Sequence, residues 1–373
     1  MLQPLEFAVR SAVLASTAPV TAFRDEPADY CEGAWAEVLP DLVKTSDNPA
    51  LASAIKSFAF SILVGEPQRR IPMAAALEAY SVALRSVNDA LENPETNSLL
   101  ELMAAVMCLL FAELVLPSSL ESWTAHLEGL GELMQTCEPR FYASGIAHRL
   151  FVGARPALIV LRIQSRKSSF LASEEWRKAP FSDIAPSPMQ TLMSEATIIP
   201  GIIEALSQNL DRHAAVRVLA ELEALLERLA SWEKSFHRTT AAPLFWFDGD
   251  YVWFDSLTTA NGLTHCWAFK AICLTSIGKI AISFPDMCPS AQLAHLPQEA
   301  RRVSALICRS IKYLMQEKMK LFGPTSIVLP LQTAYDTLEA GGSETEKDFA
   351  WCRKILESAF KEKRFLSLFF RQR

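Results

Sequence analysis

Glycine is scarce in this chain of 373 residues, with 13 in all. No Gly-x-Gly-x-x-Gly fingerprint and no P-loop is present, so the backbone cradles that hold nucleotide phosphates are missing. No Gly-x-Ser-x-Gly elbow presents a nucleophilic serine. The eight cysteines are scattered, with no Cys-x-x-Cys. The closest pair, Cys266 and Cys273, stands two helical turns apart, a poor zinc spacing. Most lie in apolar runs such as "MCLLF" and "AICLTS", as buried free thiols do. His-x-x-x-His, His-Glu-x-x-His and the aspartate-rich magnesium motifs of terpene synthases are also lacking. No metal and no cofactor is therefore expected. A net charge of -6 provides no whole-molecule attraction for phosphate backbones, so nucleic-acid binding would need a local basic patch.

Secretion and membrane signals are equally thin. No Asn-x-Ser/Thr sequon occurs. The longest uncharged apolar run, Leu102 to Ala112, is too short for a bilayer span. Glu6 and Arg10 interrupt the apolar N-terminus, Met1 to Phe23, which reads as a first helix rather than a signal peptide. The sequence thus predicts an intracellular protein, nuclear or cytoplasmic.

What is abundant is apolar sequence, 50% of the chain, arranged with helical period. In "AALEAYSVALRSVNDAL" the residues Leu77, Tyr80, Leu84, Val87 and Leu91 recur at steps of three and four, predicting one buried stripe. "SLLELMAAVMCLLFAELVL" is apolar all round and predicts a central helix, stopped by Pro117. A serine cap opens the next helix in "SSLESW". "RVLAELEALLERLASW" carries a further stripe, Leu219, Leu222, Leu226 and Leu229. Period-two strands are nearly absent. The fold class is therefore all-α, a large bundle of antiparallel helix pairs with at most one short hairpin. One domain over 1–373 is expected, with sub-halves 1–176 and 191–373 joined by the proline-rich stretch 177–190. Further breaks fall at 283–297 and 339–348.

The hairpin candidate is "FWFDGDYVWFD", Phe245 to Asp255, with Asp248 and Asp250 flanking Gly249. Its spacing fails the calcium-loop rule. It fits a tight turn with aromatic arms anchored on the helices. Alternatively Trp246, Trp253 and an aspartate line a pocket mouth. His126 lies three residues after Trp123, on one helix face. It is either a packed histidine or a base in an apolar cavity. His148 and His265 pose the same choice, and Trp267 follows His265 closely. The candidate catalytic residues are thus His126, Asp248, Asp250 and His265. Trp123, Trp246, Tyr251, Trp253 and Trp267 are the candidate ligand-binding residues. The C-terminal "KEKRFLSLFFRQR" suits a docked helix with a solvated charged face, or a membrane or nucleic-acid contact.

Several segments together resemble a known family. The apolar helix ending in "FAELVL", then "SWTAHLEGLGELM", "IAHRLFVGAR" and "SFLASEEWRKAPF", are similar to the regulatory domain of fungal binuclear-zinc-cluster transcription factors. "HCWAFKAICLTSI", "GPTSIVLPLQTAYDTL" and "WCRKIL" extend the likeness, which spans roughly Met1 to Phe370. The six-cysteine zinc cluster of such proteins has no counterpart here, since Cys31 stands alone, so the resemblance implies no direct DNA binding. The resemblance implies a transcription-regulator-like helical scaffold of a fungal secondary-metabolite pathway that binds a small apolar molecule, a transcriptional protein partner, or both. A homodimer is compatible with it. The alternative is a cofactor-independent cyclase, pericyclase or isomerase acting on a polyketide or terpenoid intermediate in an apolar helical cavity.

Overall fold

The computed structural model of the chain describes residues 32–45, 47–65, 71–93, 99–116, 119–208, 210–237, 243–287, 295–319, 322–342, 345–362 and 366. The expected first helix at Met1 to Phe23, Cys31 and nearly all of the basic C-terminal segment lie outside these. A 3-10 helix, Glu32–Val38, leads into α1 (Leu39–Thr45), α2 (Pro49–Gly65), α3 (Met73–Glu92), α4 (Leu99–Val115), α5 (Leu120–Gln135) and α6 (Gly145–Ser165). Then come α7 (Glu174–Lys178), α8 (Pro188–Ala196), α9 (Ile199–Leu206) and α10 (Arg212–His237). Strands β1 (Phe245–Asp248) and β2 (Tyr251–Phe254) precede α11 (Leu257–Ser283), α12 (Leu296–Leu314), α13 (Phe322–Ser326), α14 (Val328–Ala340) and α15 (Glu346–Glu362). The fold is all-α, its described strands forming one antiparallel hairpin.

Two helices organise the packing. In the first part α4 is buried on every side from Glu101 to Leu110, with α2 against both α3 and α4 and α5 on its other flank. In the second part α11 is the axis, flanked by α10, α12 and α14. By length and composition α11 could cross a membrane, but 67% of its most apolar stretch is buried inside the protein. That is how a core helix behaves. Ser119 and Ser256 cap α5 and α11, accepting from the backbone N–H of Ser122 and Thr259 at 3.1 Å each.

One stripe differs from expectation. The face of α3 that is buried carries Ala76, Ala79, Ala83, Val87 and Ala90. Leu77 and Leu91 stay about half exposed, and Tyr80 and Leu84 are partly buried. Small side chains let the axis of α3 approach α2 closely, and interaxial distance follows contact-residue size. Periodicity alone counts leucines and misses that advantage. On α10 the buried set is Ala215, Val218, Leu222, Leu225, Leu229, Trp232 and Phe236, with Leu219 and Leu226 at its edge.

The proline-rich stretch 177–190 is not an open linker. It contains a 3-10 turn at Ala179–Phe181 and the start of α8, with Pro180 and Met189 buried. Helix α8 packs on α6, α10 and α11. The contact follows from Pro156 within α6. Proline has no N–H, so it cannot bond the carbonyl of Val152 four residues back. The Gln190 side chain donates to that carbonyl instead, at 3.2 Å. The fully buried Arg155 next to Pro156 donates to the backbone and side-chain oxygens of Gln190, both at 3.0 Å, and to Ser194 Oγ at 2.8 Å. Its guanidinium lies over Phe181 and Phe151. Replacing Gln190 by leucine therefore strips Val152 of its side-chain donor and Arg155 of an acceptor. Gln190→Leu is expected to lower stability by about 3 kcal/mol in urea unfolding. A loss below 1 kcal/mol would mean that water replaces both bonds.

Candidate functional site

A cavity of about 130 Å³ lies where the two parts meet. Trp35, then Leu110, Phe111 and Leu114 of α4, Trp123 of α5, and Gly153, Pro156, Ala157 and Val160 of α6 form one side. Met189 of α8, Asn261 and His265 of α11, Phe322, Thr325 and Ser326 of α13, and Val328 and Leu329 of α14 form the other. The wall is nearly all apolar. Trp35 stacks on Phe111 with centroids 5.2 Å apart. The indole sits so close to α6 that a Cβ at Gly153 would stand 2.7 Å from Trp35 Cβ. Only glycine admits this approach, which outweighs its cost of about 1 kcal/mol inside a helix.

His265 is the polar group whose chemistry the packing defines. It is 4% exposed. Its Nδ1 lies 2.9 Å from the carbonyl of Asn261, one turn back. A carbonyl only accepts, so Nδ1 carries the proton and Nε2 is left as an acceptor. Burial disfavours the imidazolium and pushes the pKa down to about 4, against a smaller upward pull from the Asn261 carbonyl. Among the described residues no hydrogen-bond partner meets Nε2. Thr325 and Ser326 turn their hydroxyl protons back onto the carbonyls of Phe322 and Gly323.

His126 lies in a separate polar cluster. Tyr80 donates to Glu113 Oε1, and Tyr80 Oη is 2.9 Å from His126 Nε2. The one phenolic proton goes to the carboxylate, so His126 Nε2–H must donate to the phenol oxygen. Helices α3, α4 and α5 are thereby joined through a carboxylate only 2% exposed. Burial lowers the His126 pKa, partly offset by the charge of Glu113. Burial first, then the bond and charge of Glu113, raise that of Tyr80. Neither Tyr80 nor Glu113 was legible as a partner, because they meet His126 only across three helices. His148 is buried with Nδ1 3.0 Å from both the Tyr142 and the Pro180 carbonyl.

The aromatic hairpin lies elsewhere and none of its residues lines the cavity. Phe245 pairs with Phe254, Trp246 with Trp253, and Asp248 with Tyr251. Gly249, at φ +60°, makes the two-residue turn, the first central position at which a II′ turn demands glycine. Val252 and Phe254 point into the core, while Trp246 and Phe247 are about half exposed and Asp248 and Asp250 face solvent. Lys312 sits over the Tyr251 ring at 4.3 Å, and Trp253 meets Tyr313 edge-on at 5.9 Å. Trp267 is buried beneath, its ring 5.7 Å from Phe245 and its Nε1 donating to Glu233 at 2.9 Å. Glu233 also pairs with Lys270. Burial pushes the Glu233 carboxyl up, but the charge and hydrogen bond of Lys270 and the bond from Trp267 outweigh it and leave the pKa below the usual range. Of the nine residues singled out in the sequence, Trp123 and His265 share the cavity, His126 lies in the Tyr80–Glu113 cluster, and the other six belong to the hairpin and its footing. Among the described residues no three His, Cys, Asp or Glu side chains gather as metal ligands.

In class, this is an all-α protein with an apolar cavity where its two principal helix groups meet. Residues 25–195 match the model of the fungal specific transcription factor domain. The match runs through most of α8, so it contains one side of the cavity and Met189 of the other. His265, Asn261 and the likeness read in "HCWAFKAICLTSI" and "GPTSIVLPLQTAYDTL" lie beyond it. No curated protein and no solved structure matches the chain.

Protonating His265 costs the folded state, because its folded pKa of about 4 lies below the unfolded value of about 6.5. Between those values the unfolded chain binds more protons. The contribution of this residue is therefore complete above pH 6.5 and lost as the pH falls towards 4, an effect of about 3 kcal/mol. His265→Gln, uncharged throughout, is expected to flatten the decline of urea-measured stability over this window. A variant with an unchanged slope would contradict the buried neutral imidazole.

Proposed function

We propose that this chain is a nuclear transcription-regulating protein whose helical body binds a small apolar molecule in the junction cavity. The single observation that carries this reading is the position of the cavity. One wall lies within the residues that match the transcription-factor domain, and the other, apart from Met189, comes from the helices that follow. A molecule seated there adds contacts to both, so it favours the arrangement that provides them. Protein partners or a second copy would read that arrangement. By resemblance the setting is a fungal secondary-metabolite pathway.

A second reading, a cofactor-independent cyclase or isomerase, is favoured by the neutral imidazole at an apolar cavity, the form a general base needs. The volume weighs against it. Drug-sized ligands need pockets of about 300–1,000 Å³, whereas the cavity measures about 130 Å³, too little for a folded polyketide or terpenoid.

Deletion of the gene is expected to abolish a set of transcripts, and re-expression of the wild-type chain to restore them. Ala157→Phe, which fills the cavity from α6, is expected to accumulate and fold yet fail to restore them. Transcripts that survive deletion while one pathway intermediate accumulates would reject the regulator in favour of the enzyme.

A further inference from the structure

We propose that the junction cavity recognises a hydroxylated single ring, a phenol-type group, whose hydroxyl donates to Nε2 of His265. The proposal rests on the reading of this cavity as a ligand site and adds what the ligand must be. Three observations set its chemistry. The volume of about 130 Å³ is close to the ~150 Å³ of an apolar cavity that takes up one benzene ring. The side walls are aromatic and aliphatic, with the indoles of Trp35 and Trp123 and the ring of Phe111 among them, surfaces that suit a flat apolar body. The polar end is asymmetric. The one proton of His265 is committed to the Asn261 carbonyl at 2.9 Å, so the imidazole offers this cavity an acceptor and no donor.

That asymmetry discriminates among ligands of one size. A phenol or ring alcohol arrives with the donor that Nε2 lacks. Benzene or toluene fills the volume but leaves a buried acceptor unmet. An aryl ether presents an acceptor to an acceptor. A carboxylate brings a charge into an almost wholly apolar chamber, where burial is costly. Affinity is therefore expected to rank hydroxylated ring, plain ring, ether and carboxylate, in falling order.

The test uses the full chain and fluorine NMR titrations with fluorobenzene, 4-fluorophenol, 4-fluoroanisole and 4-fluorobenzoate. Fluorobenzene is expected to bind, and 4-fluorophenol to bind about fivefold more tightly, the effect of one net hydrogen bond. Methylating the hydroxyl, as in 4-fluoroanisole, is expected to abolish the gain on the unaltered protein. His265→Leu is expected to bring fluorobenzene and 4-fluorophenol to equal affinity. If fluorobenzene binds but the phenol shows no advantage, or keeps it in His265→Leu, the recognition by His265 is wrong while the cavity remains a ligand site. If none of the four binds, the ligand-site reading falls, and this proposal with it. Should His265→Leu fail to fold, the comparison of phenol with anisole on the wild-type chain still decides.

Discussion

The structure turns on a missing hydrogen bond in α6. Pro156 removes one rung of the helix, and the orphaned carbonyl of Val152 is met by Gln190 from α8. A buried carbonyl without a donor is costly, so the break in one helix becomes a demand that another element satisfy it. Arg155 tightens the same joint through three further bonds to α8. Helix α8 touches α10 and α11 as well as α6. This small polar knot therefore determines how the first group of helices meets the second, and with it the shape of the cavity between them.

Other buried polar groups follow the same logic. Glu113 is reached by Tyr80, which is reached by His126, and three helices are tied. Glu233 takes bonds from Trp267 and Lys270 and holds α10 to α11. Each charge is buried among hydrogen-bond donors, the condition under which burial is tolerable and geometry specific. The cavity arises from a contrasting cause. Flat rings and a glycine-admitted close contact at Trp35 and Gly153 build rigid walls that do not collapse into the space between them.

Much of the fold was legible in the chain. The all-round apolar character of "LMAAVMCLL" placed α4 at the centre, and the single glycine between Asp248 and Asp250 marked the hairpin turn. The leucine stripe on α3 misled, because close approach rewards the alanines. The importance of α11 was hidden as well. The buried polar residues Asn261, Thr264, His265 and Lys270 interrupt its apolar run. The candidate site was legible in part. Trp123 and His265 stood out as residue types, but nothing in their spacing of well over a hundred residues joins them. The hairpin drew attention through its density of rings, whereas the cavity is lined by ordinary residues drawn one or a few at a time from seven helices and the 3-10 segment.

By itself, then, the amino-acid sequence determined helix content, the principal turns, the lack of phosphate and metal signatures, and a family likeness matched over residues 25–195. Those are local properties, written in periodicity, caps and short patterns. Only the tertiary structure decided which histidine faces a cavity, which proton it has committed, and how large that space is. These depend on contacts between distant segments, and on a void. A void is the failure of surrounding side chains to meet, and no local pattern encodes it.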